Sequence, residues 1–337
     1  MTTSKITTVR LGNTGPTVGR IGLGTMGMSG DIYGASDDTE SIATIHDALD
    51  SGANLIDTGD FYGAGHNELL VGRAIADRPR EDVVLSVKFG ALRGPGGTWG
   101  GVDNRPAALR NFLIYSLQRL GVDHVDIYRP ARLDPSVPIE DTVGAIADLV
   151  EAGYVRHIGL SEVGADTVRR AAAVAPIADL QIEYSLISRG IEDEILPVTR
   201  ELGIGITAYG VLSRGLLSES VRAGTPLGDN DYRAHSPRFR GENLVRNLEL
   251  VDALAKVAAQ HDISVAQSAI AWVLSRGTDI VPILGARRRD RWAETVGALD
   301  IELTEGDLAA IEAAVPTDRV AGARYAEAQM AMLDSER

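Results

Sequence analysis

The sequence predicts an α/β protein folded as a (β/α)8 TIM barrel, and three observations support this class. Short apolar runs typical of buried strands alternate eight times with amphipathic helical stretches, at a spacing of about 30 residues. Glycine follows the last turn of several predicted helices, where it commonly ends them: Gly52, Gly121, Gly153, Gly203 and Gly277. No Pro/Ser-rich linker divides the chain. We therefore predict one domain over 1–337, with the barrel at about 18–300 and a C-terminal helix and tail at about 301–337.

The predicted elements follow one another in strict alternation. The strands are Arg20–Leu23, Asn54–Asp57, Asp82–Lys88, Val125–Tyr128, Val155–Ser161, Asp179–Glu183, Gly205–Tyr209 and Asp279–Leu284. The helices are Asp38–Asp50, Asn67–Ala76, Pro106–Leu120, Ile139–Ala152, Gly164–Val174, Glu192–Leu202, Glu242–Gln260, Val265–Ser275 and Arg291–Ala298. Val9–Val18 predicts an N-terminal β-hairpin that closes the barrel floor, and the segment from Thr304 predicts an extra C-terminal helix. The glycine-rich stretch Gly90–Val102 predicts a mobile loop over the pocket instead of a strand or helix.

Composition excludes several classes of function. The 337 residues carry a formal net charge of −14, with a sequence pI of about 4.9, which argues against binding to nucleic acid or to anionic membranes. Cysteine is absent, so disulfides and thiolate chemistry are excluded. We find no signal peptide, no run long enough to span a membrane and no metal motif, and we expect a cytoplasmic protein. Oligomeric state stays open.

The run Gly22-Leu-Gly-Thr-Met-Gly27 matches the G-x-G-x-x-G pattern of dinucleotide-binding Rossmann folds. That pattern requires a helix opening at the third glycine. Here loop-like residues continue to Ala35, and the next helix begins at about Asp38. We therefore interpret the run as a loop after the first strand, beside a bound cofactor.

Three candidate catalytic residues lie at the ends of neighbouring strands. Asp57 ends the second strand, Tyr62 follows five residues later, and Lys88 ends the third strand. Strand C-terminal ends face the active site in this fold. An ammonium beside a phenol lowers the pKa of the phenol, and a carboxylate orients the ammonium. Together the three residues predict a proton-donating unit, although an isolated Asp–Lys pair is usually structural.

From about Arg10 to Ala314 the chain resembles the aldo-keto reductase superfamily. The resemblance is carried by Leu55–Gly63, Gly153–Ser161, Gln181–Ser185, Tyr209–Leu217 and Ile283–Arg287. It implies an NADP-dependent oxidoreductase that reduces an aldehyde or ketone to the alcohol. Tyr62 would be the general acid, Lys88 its pKa modifier and Asp57 the partner of Lys88.

The resemblance also implies contacts with the cofactor, NADPH or NADP+. Ser161 and Gln181 would bind the nicotinamide amide, and Tyr209 would stack on the nicotinamide ring. The loop after the seventh strand would fold over the pyrophosphate through Gly210, Leu212, Ser213, Arg214 and Leu216, and Gly285 would contribute from the eighth strand. The run Arg287–Arg291 combines guanidinium groups with a helix N-terminus, which suits the 2′-phosphate of NADPH and favours it over NADH. Arg287 and Arg291 match the family positions best, and Glu294 fits the acid that contacts adenine.

One residue that is common in the superfamily is missing from the predicted active site. The superfamily commonly places a histidine after the fourth strand, and Ala131 occupies that position here. His124 lies at the opposite end of the same strand, so it does not replace the missing donor. Losing one such donor typically costs about 3 kcal/mol of transition-state stabilisation. The run Ala131–Glu140 is similar to the branch that contains pyridoxal reductases.

The substrate pocket is the least defined part of the prediction. The candidates are Met26, Tyr33, Phe61, Phe89, Trp99 and Arg129, although aromatic residues at such positions pack in cores equally often. Arg132 is a further candidate for orienting substrate, with a structural ion pair as the alternative for both arginines. Two other functions stay open: a pyridoxal reductase specifically, and a cofactor-binding regulatory subunit with little turnover, as in potassium-channel beta subunits.

Overall fold

Eight parallel strands close into a barrel, as the alternation of strands and helices predicts. A computed structural model describes residues 6–30, 32–218, 220–222, 224–225, 227–228 and 231–336. The barrel strands are β3 (Gly22–Gly24), β4 (Leu55–Gly59), β5 (Val84–Phe89), β8 (Val125–Pro130), β9 (Val155–Ser161), β10 (Ile177–Glu183), β11 (Gly205–Tyr209) and β12 (Ile280–Gly285). β12 pairs with β3 and closes the ring, so the Rossmann alternative is excluded.

Two antiparallel hairpins accompany the barrel. The predicted N-terminal hairpin is present as β1 (Thr8–Arg10) and β2 (Thr17–Gly19). The second hairpin corrects the prediction of an irregular loop over Gly90–Val102. There β6 (Ala91–Arg93) pairs with β7 (Trp99–Val102), with a shift in register between the two pairs. Glycine-rich composition hides such a pairing because the strands lack the alternation of apolar side chains that marks a strand.

Helices surround the barrel and bury its outer face. They are α1 (Asp38–Ser51), α2 (His66–Ile75), α3 (Pro106–Leu120), α4 (Ile139–Glu151), α5 (Ala165–Ala172), α6 (Ile195–Glu201), α7 (Gly241–Ala259), α8 (Val265–Ser275), α9 (Arg289–Gly297), α10 (Glu305–Ala314) and α11 (Glu327–Met330). Short 3-10 turns at Tyr232–His235 and Pro237–Phe239 precede α7. Among the described residues, no helix is both long and apolar enough to cross a membrane.

Strand register brings the predicted catalytic residues to one end of the barrel. Asp57 on β4 is opposite Ser86 on β5, and Lys88 is opposite Arg129 on β8. On the far side, Gln181 on β10 is in register with Ser161 on β9. These residues lie near the carboxyl ends of their strands, which is where barrels of this class carry their active sites.

The C-terminal tail returns across this same end of the barrel. After α10, residues 320–336 run over the loops that follow β9, β10 and β11. Asn247 of α7 exchanges two hydrogen bonds with the backbone of Ala321, and Asp334 accepts a bond from the backbone N–H of Gly164. The predicted tail is therefore an ordered strap that contacts the mouth of the barrel.

Candidate active site

A buried ion pair supports the phenol at position 62. The Lys88 ammonium donates to Asp57, whose other carboxylate oxygen accepts from Ser86 (2.8 Å) and from the Gln181 amide (2.8 Å). The Lys88 Nζ atom lies 5.1 Å from the centroid of the Tyr62 ring. All three predicted catalytic residues are buried, at 4–7% exposure. The structure thus brings Asp57, Tyr62 and Lys88 together, with Gln181 as a fourth member.

The electrostatics of Tyr62 differ from the prediction. Burial raises the pKa of the Tyr62 phenol well above its usual range, and the negative charge of Asp57 raises it further. Arg132 is the cation that most opposes this rise. Burial also lowers the pKa of Lys88, against the stabilising charge of Asp57. The expected lowering of the Tyr62 pKa is therefore wrong, and the phenol is protonated at neutral pH.

Arg129 does not line a substrate pocket, which corrects the prediction. Its side chain is fully buried inside the barrel, and its Nη1 atom donates to Asp179 (2.7 Å). Its Nη2 atom donates to the Ser86 hydroxyl (3.0 Å). The alternative of a structural ion pair is the one observed.

The prediction of Phe89 as a substrate-pocket residue is also wrong. Successive side chains of a strand point to opposite faces of the sheet. Because Lys88 faces into the barrel, Phe89 faces outward. There it stacks on Tyr128 with ring centroids 4.3 Å apart, and the Tyr128 hydroxyl donates to a backbone carbonyl of α3. Phe89 is a core residue between barrel and helices.

The other pocket candidates surround the mouth to different degrees. Phe61 packs edge-on against Tyr62, with ring centroids 4.7 Å apart. Met26 and Tyr33 are half-buried in the loop after β3, and Tyr33 lies 5.5 Å from the Arg233 guanidinium. Trp99 is 45% exposed on the second hairpin beside Arg93, outside the buried cluster around Tyr62.

The β9–β11 side of the mouth contains a buried carboxylate that sequence reasoning missed. Glu162 follows Ser161 directly, and its backbone has a φ of 55°, which is uncommon for a residue other than glycine. Its carboxylate accepts from the Tyr209 hydroxyl (2.7 Å) and from two nitrogens of Arg324 (2.9 and 2.6 Å). Although burial opposes the shift, the bonds from Arg324 lower the pKa of Glu162 to about 2.

The tail places an aromatic ring on this cluster. The Tyr325 hydroxyl shares a hydrogen bond with the Tyr209 hydroxyl (2.8 Å), and the guanidinium of Arg214 lies 4.5 Å from the Tyr325 ring centroid. No local pattern in the sequence marks Arg324 or Tyr325, because their partners lie more than a hundred residues away along the chain.

The loop after β11 has the features expected of a site for an anionic ligand. Gly210 has a φ of +68°, and a Cβ atom there would lie 3.0 Å from Glu183 Cγ. Arg214 donates to Glu183 through Nη2 (3.0 Å), while its Nη1 atom and the Ser213 hydroxyl are buried without a hydrogen-bond partner among the described residues. Buried donors of this kind require a partner, and phosphate oxygens are suitable ones. Leu216 is buried in the core, and the half-buried Leu212 packs against that core.

The basic run after β12 divides into paired and unpaired arginines. Arg291 donates to Glu294 (2.9 Å), which also accepts from Ser264, and both Arg291 and Glu294 lie on α9. Arg288 and Arg289 pair with Asp290 and Glu40 at the surface. Arg287 instead donates to the backbone carbonyls of Gly34 and Ala35 (2.9 and 3.0 Å), in the loop after β3. Burial lowers the pKa of Arg287, and the charges of Arg233 and Arg288 lower it further, against that of Asp231. Gly285 is exposed at the end of β12.

Ala131, which we predict to stand in place of the family's histidine, is buried, and its backbone N–H donates to Phe89 O (2.8 Å). His124 binds Asp123 at the start of β8 and takes no part in the cluster around Tyr62.

Comparisons with known proteins agree with this geometry. The model of the Aldo/keto reductase family matches residues 20–316. The chain is 42% identical to "Probable aldo-keto reductase 1" of Glycine max over 326 residues, which cover 96% of this chain and 93% of that protein. The chain therefore belongs to the aldo/keto reductase family.

Solved structures show the same architecture. The glycerol dehydrogenase AKR11B4 from Gluconobacter oxydans superposes with a TM-score of 0.83 at 31% identity, covering 93% of this chain and 95% of that one. The thermostable aldo-keto reductase Tm1743, solved with the inhibitor epalrestat, superposes with a TM-score of 0.74 at 28% identity, covering 92% and 100%. Family membership makes the protein an oxidoreductase and supports the reduction of a small carbonyl compound; proteins of this family generally bind nicotinamide cofactors.

Proposed function

We propose that the protein reduces an aldehyde or ketone to the alcohol with NADPH, and that Tyr62 is the general acid. The observation that carries the proposal is the buried phenol beside the Lys88–Asp57 ion pair, with Gln181 bound to the same carboxylate. A bound nicotinamide would supply the hydride. The residues of this chain would hold the carbonyl, protonate its oxygen and stabilise the resulting phenolate.

The protonated state of Tyr62 suits this role. An acid must carry its proton when the substrate arrives, and burial keeps the phenol neutral. When the carbonyl oxygen takes the proton, the phenolate is left beside the Lys88 ammonium, which stabilises it in a site of low polarity. Asp57 fixes Lys88 in place through the buried pair.

Binding of a nicotinamide cofactor is supported by the unsatisfied donors of Ser213 and Arg214, which suit a pyrophosphate. Ser161, Gln181 and Tyr209 would bind and stack on the nicotinamide. Preference for NADPH is supported by Arg287, which has no carboxylate partner within salt-bridge distance in the described part of the chain. Arg291 would bind the 2′-phosphate only if the phosphate replaced Glu294 as its partner. Glu294 would then contact adenine.

We further propose that 1–337 acts as one catalytic domain, because the tail is bound to the mouth of the barrel. Residues 1–5 and 337 lie outside the described residues. A narrower form of the proposal is that the protein is specifically a pyridoxal reductase.

A substrate screen tests the proposal. NADPH and NADH oxidation would be followed with pyridoxal, aromatic aldehydes and small ketones, and the reverse reaction with glycerol, which is suggested by the name of the structural relative. We expect NADPH-dependent turnover of at least one aldehyde class. Tight NADPH binding without turnover across the panel would contradict the proposal that the protein is an enzyme and would favour a regulatory subunit.

A further inference from the structure

Arg132 is held rigidly at the mouth of the barrel, two residues past the end of β8. The Asn104 amide donates to the Arg132 carbonyl (2.8 Å), and the preceding residue, Ala131, is tied to β5 by its bond to Phe89 O (2.8 Å). A backbone fixed on both sides holds its side chain in a defined place, as binding sites require.

The guanidinium of Arg132 lies over the site and not in the barrel wall. Its Nη1 atom donates to Ala131 O (2.6 Å), and its Nη2 atom is 3.5 Å from the Tyr325 hydroxyl. Tyr325 in turn contacts Tyr209 at the end of β11. Burial raises the pKa of Tyr62 and of Tyr209, and in both cases the charge of Arg132 opposes the rise. Arg132 is therefore close to the predicted nicotinamide contact through Tyr325, and its charge also acts on the proposed acid.

Arg132 differs from four arginines with buried side chains in having no carboxylate at salt-bridge distance among the described residues. Those four each have a carboxylate partner: Arg129 with Asp179 (2.7 Å), Arg214 with Glu183 (3.0 Å), Arg238 with Glu183 (3.4 Å) and Arg324 with Glu162 (2.6 Å). Burial acts to lower the pKa of Arg132, and the more distant charge of Glu162 is among those that raise it above its usual value. In the part of the chain that the structure describes, no carboxylate lies within 4.0 Å of the Arg132 guanidinium. A guanidinium has five N–H donors, and Arg132 uses few of them on protein atoms.

A partly buried cation with free donors beside a reaction centre suits an anionic group of a ligand. The cofactor phosphates are a poor match, because the donors that suit them follow β11 and β12. Arg132 follows β8, the neighbour of the strand that carries Lys88. We propose that Arg132 binds a carboxylate or other fixed negative group of the substrate, so that the enzyme prefers anionic aldehydes or ketones. This inference rests on the proposed carbonyl reduction.

Matched substrates test the inference. The 2-, 3- and 4-carboxybenzaldehydes and their methyl esters differ in charge at nearly constant shape. We expect the wild type to prefer at least one acid over its ester in kcat/KM. Arg132→Met should reduce that preference by about 10- to 100-fold, mainly through KM, because a charge-assisted hydrogen bond is lost. Arg132→Lys should restore part of it.

Two controls make the result specific. Arg105→Met removes an exposed arginine that pairs with Asp103, and it should leave the acid-to-ester ratio as it is. An equal loss for acid and ester in Arg132→Met would assign Arg132 to the developing oxyanion or to structure and overturn the inference. A loss of NADPH affinity as large as the loss of preference would overturn it too, by assigning Arg132 to the cofactor.

A binding measurement covers the case in which none of these aldehydes is turned over. Calorimetric titration of the NADP+-loaded protein with the three (hydroxymethyl)benzoates and their methyl esters reports anion recognition without chemistry. We expect at least one acid to bind more tightly than its ester, and Arg132→Met to remove the difference. Equal affinities in the wild type would overturn the anion site, whereas failed turnover with charge-selective binding would count against the proposed reaction alone.

Discussion

Replacing Arg324 with methionine should destabilise the protein more than any change of an exposed arginine. The Arg324 side chain is 7% exposed and makes two bonds to Glu162 and one to Glu336. Methionine keeps most of the apolar stem but removes the charge. Glu162 would then stay buried, and among the described residues it would keep the bonds from Tyr209, Ser335 and the Glu183 backbone.

The magnitude follows from the pKa of Glu162. The folded protein lowers this pKa from 4.5 to about 2, chiefly through Arg324 acting against burial. One pKa unit corresponds to about 1.4 kcal/mol, so the pair stabilises the folded state by roughly 3 kcal/mol. Because the folded pKa is depressed, this stability is present above the unfolded pKa and is lost as the pH falls toward about 2. Breaking a buried pair typically costs about 3–5 kcal/mol, which agrees.

Urea unfolding at neutral pH measures the effect, with Arg319→Met as the matched control. Arg319 pairs with Glu249 at 4.0 Å on the surface, where a salt bridge contributes less than about 1 kcal/mol. We expect a loss of about 3 kcal/mol for Arg324→Met, partly recovered when Glu162→Gln removes the unpaired charge. Equal losses for the two arginine variants would refute the reasoning.

Three further predictions concern the site, and a fourth concerns the pH dependence of stability through the buried Asp60. Lys88→Met should lower turnover by at least about 100-fold in steady-state assays, because the phenolate loses its ammonium; activity near that of the wild type would contradict this. Arg287→Ala should weaken NADPH by about 10-fold or more while NADH changes little in fluorescence titrations, and equal weakening would remove the role at the 2′-phosphate. Burial, with Glu68 nearby, raises the pKa of Asp60 to about 7, so the stability it provides is present below its unfolded pKa and is lost as the pH rises through about 7. Asp60→Asn should flatten the stability–pH curve between about pH 4 and 7 in thermal unfolding, and an unchanged slope would exclude Asp60 as its source. Ala131→His should alter the range of accepted carbonyl compounds, and an identical profile would show that position 131 is not catalytic.

Local patterns were sufficient to predict the barrel and the grouping of Asp57, Tyr62 and Lys88 at its mouth. Each strand is a short apolar run, and the ends of strands in a barrel meet at one mouth, so Asp57 and Lys88 were predictable from their place alone. The outward direction of Phe89 also followed from strand alternation beside Lys88, and the prediction overlooked it. The sequence gives no sign of which of Arg129 and Arg132 forms a structural ion pair. Arg129 does so because its side chain points into the barrel, where Asp179 of another strand neutralises it.

Contacts between distant segments were beyond sequence reasoning. The bond between Arg324 and Glu162 joins residues 162 positions apart. The tail has no periodic pattern that would place it over the barrel, and the hairpin of β6 and β7 is hidden by glycine. These features depend on tertiary packing, which local propensity does not encode.

Tyr62→Phe tests the central claim most directly, because it removes one hydroxyl and leaves the ring beside Lys88. NADPH affinity would be measured by fluorescence titration, and reduction of the best aldehyde by single-turnover absorbance. We predict that the variant binds NADPH as the wild type does and loses reduction by at least about 100-fold. Turnover at the rate of the wild type would contradict the role of Tyr62 as the acid.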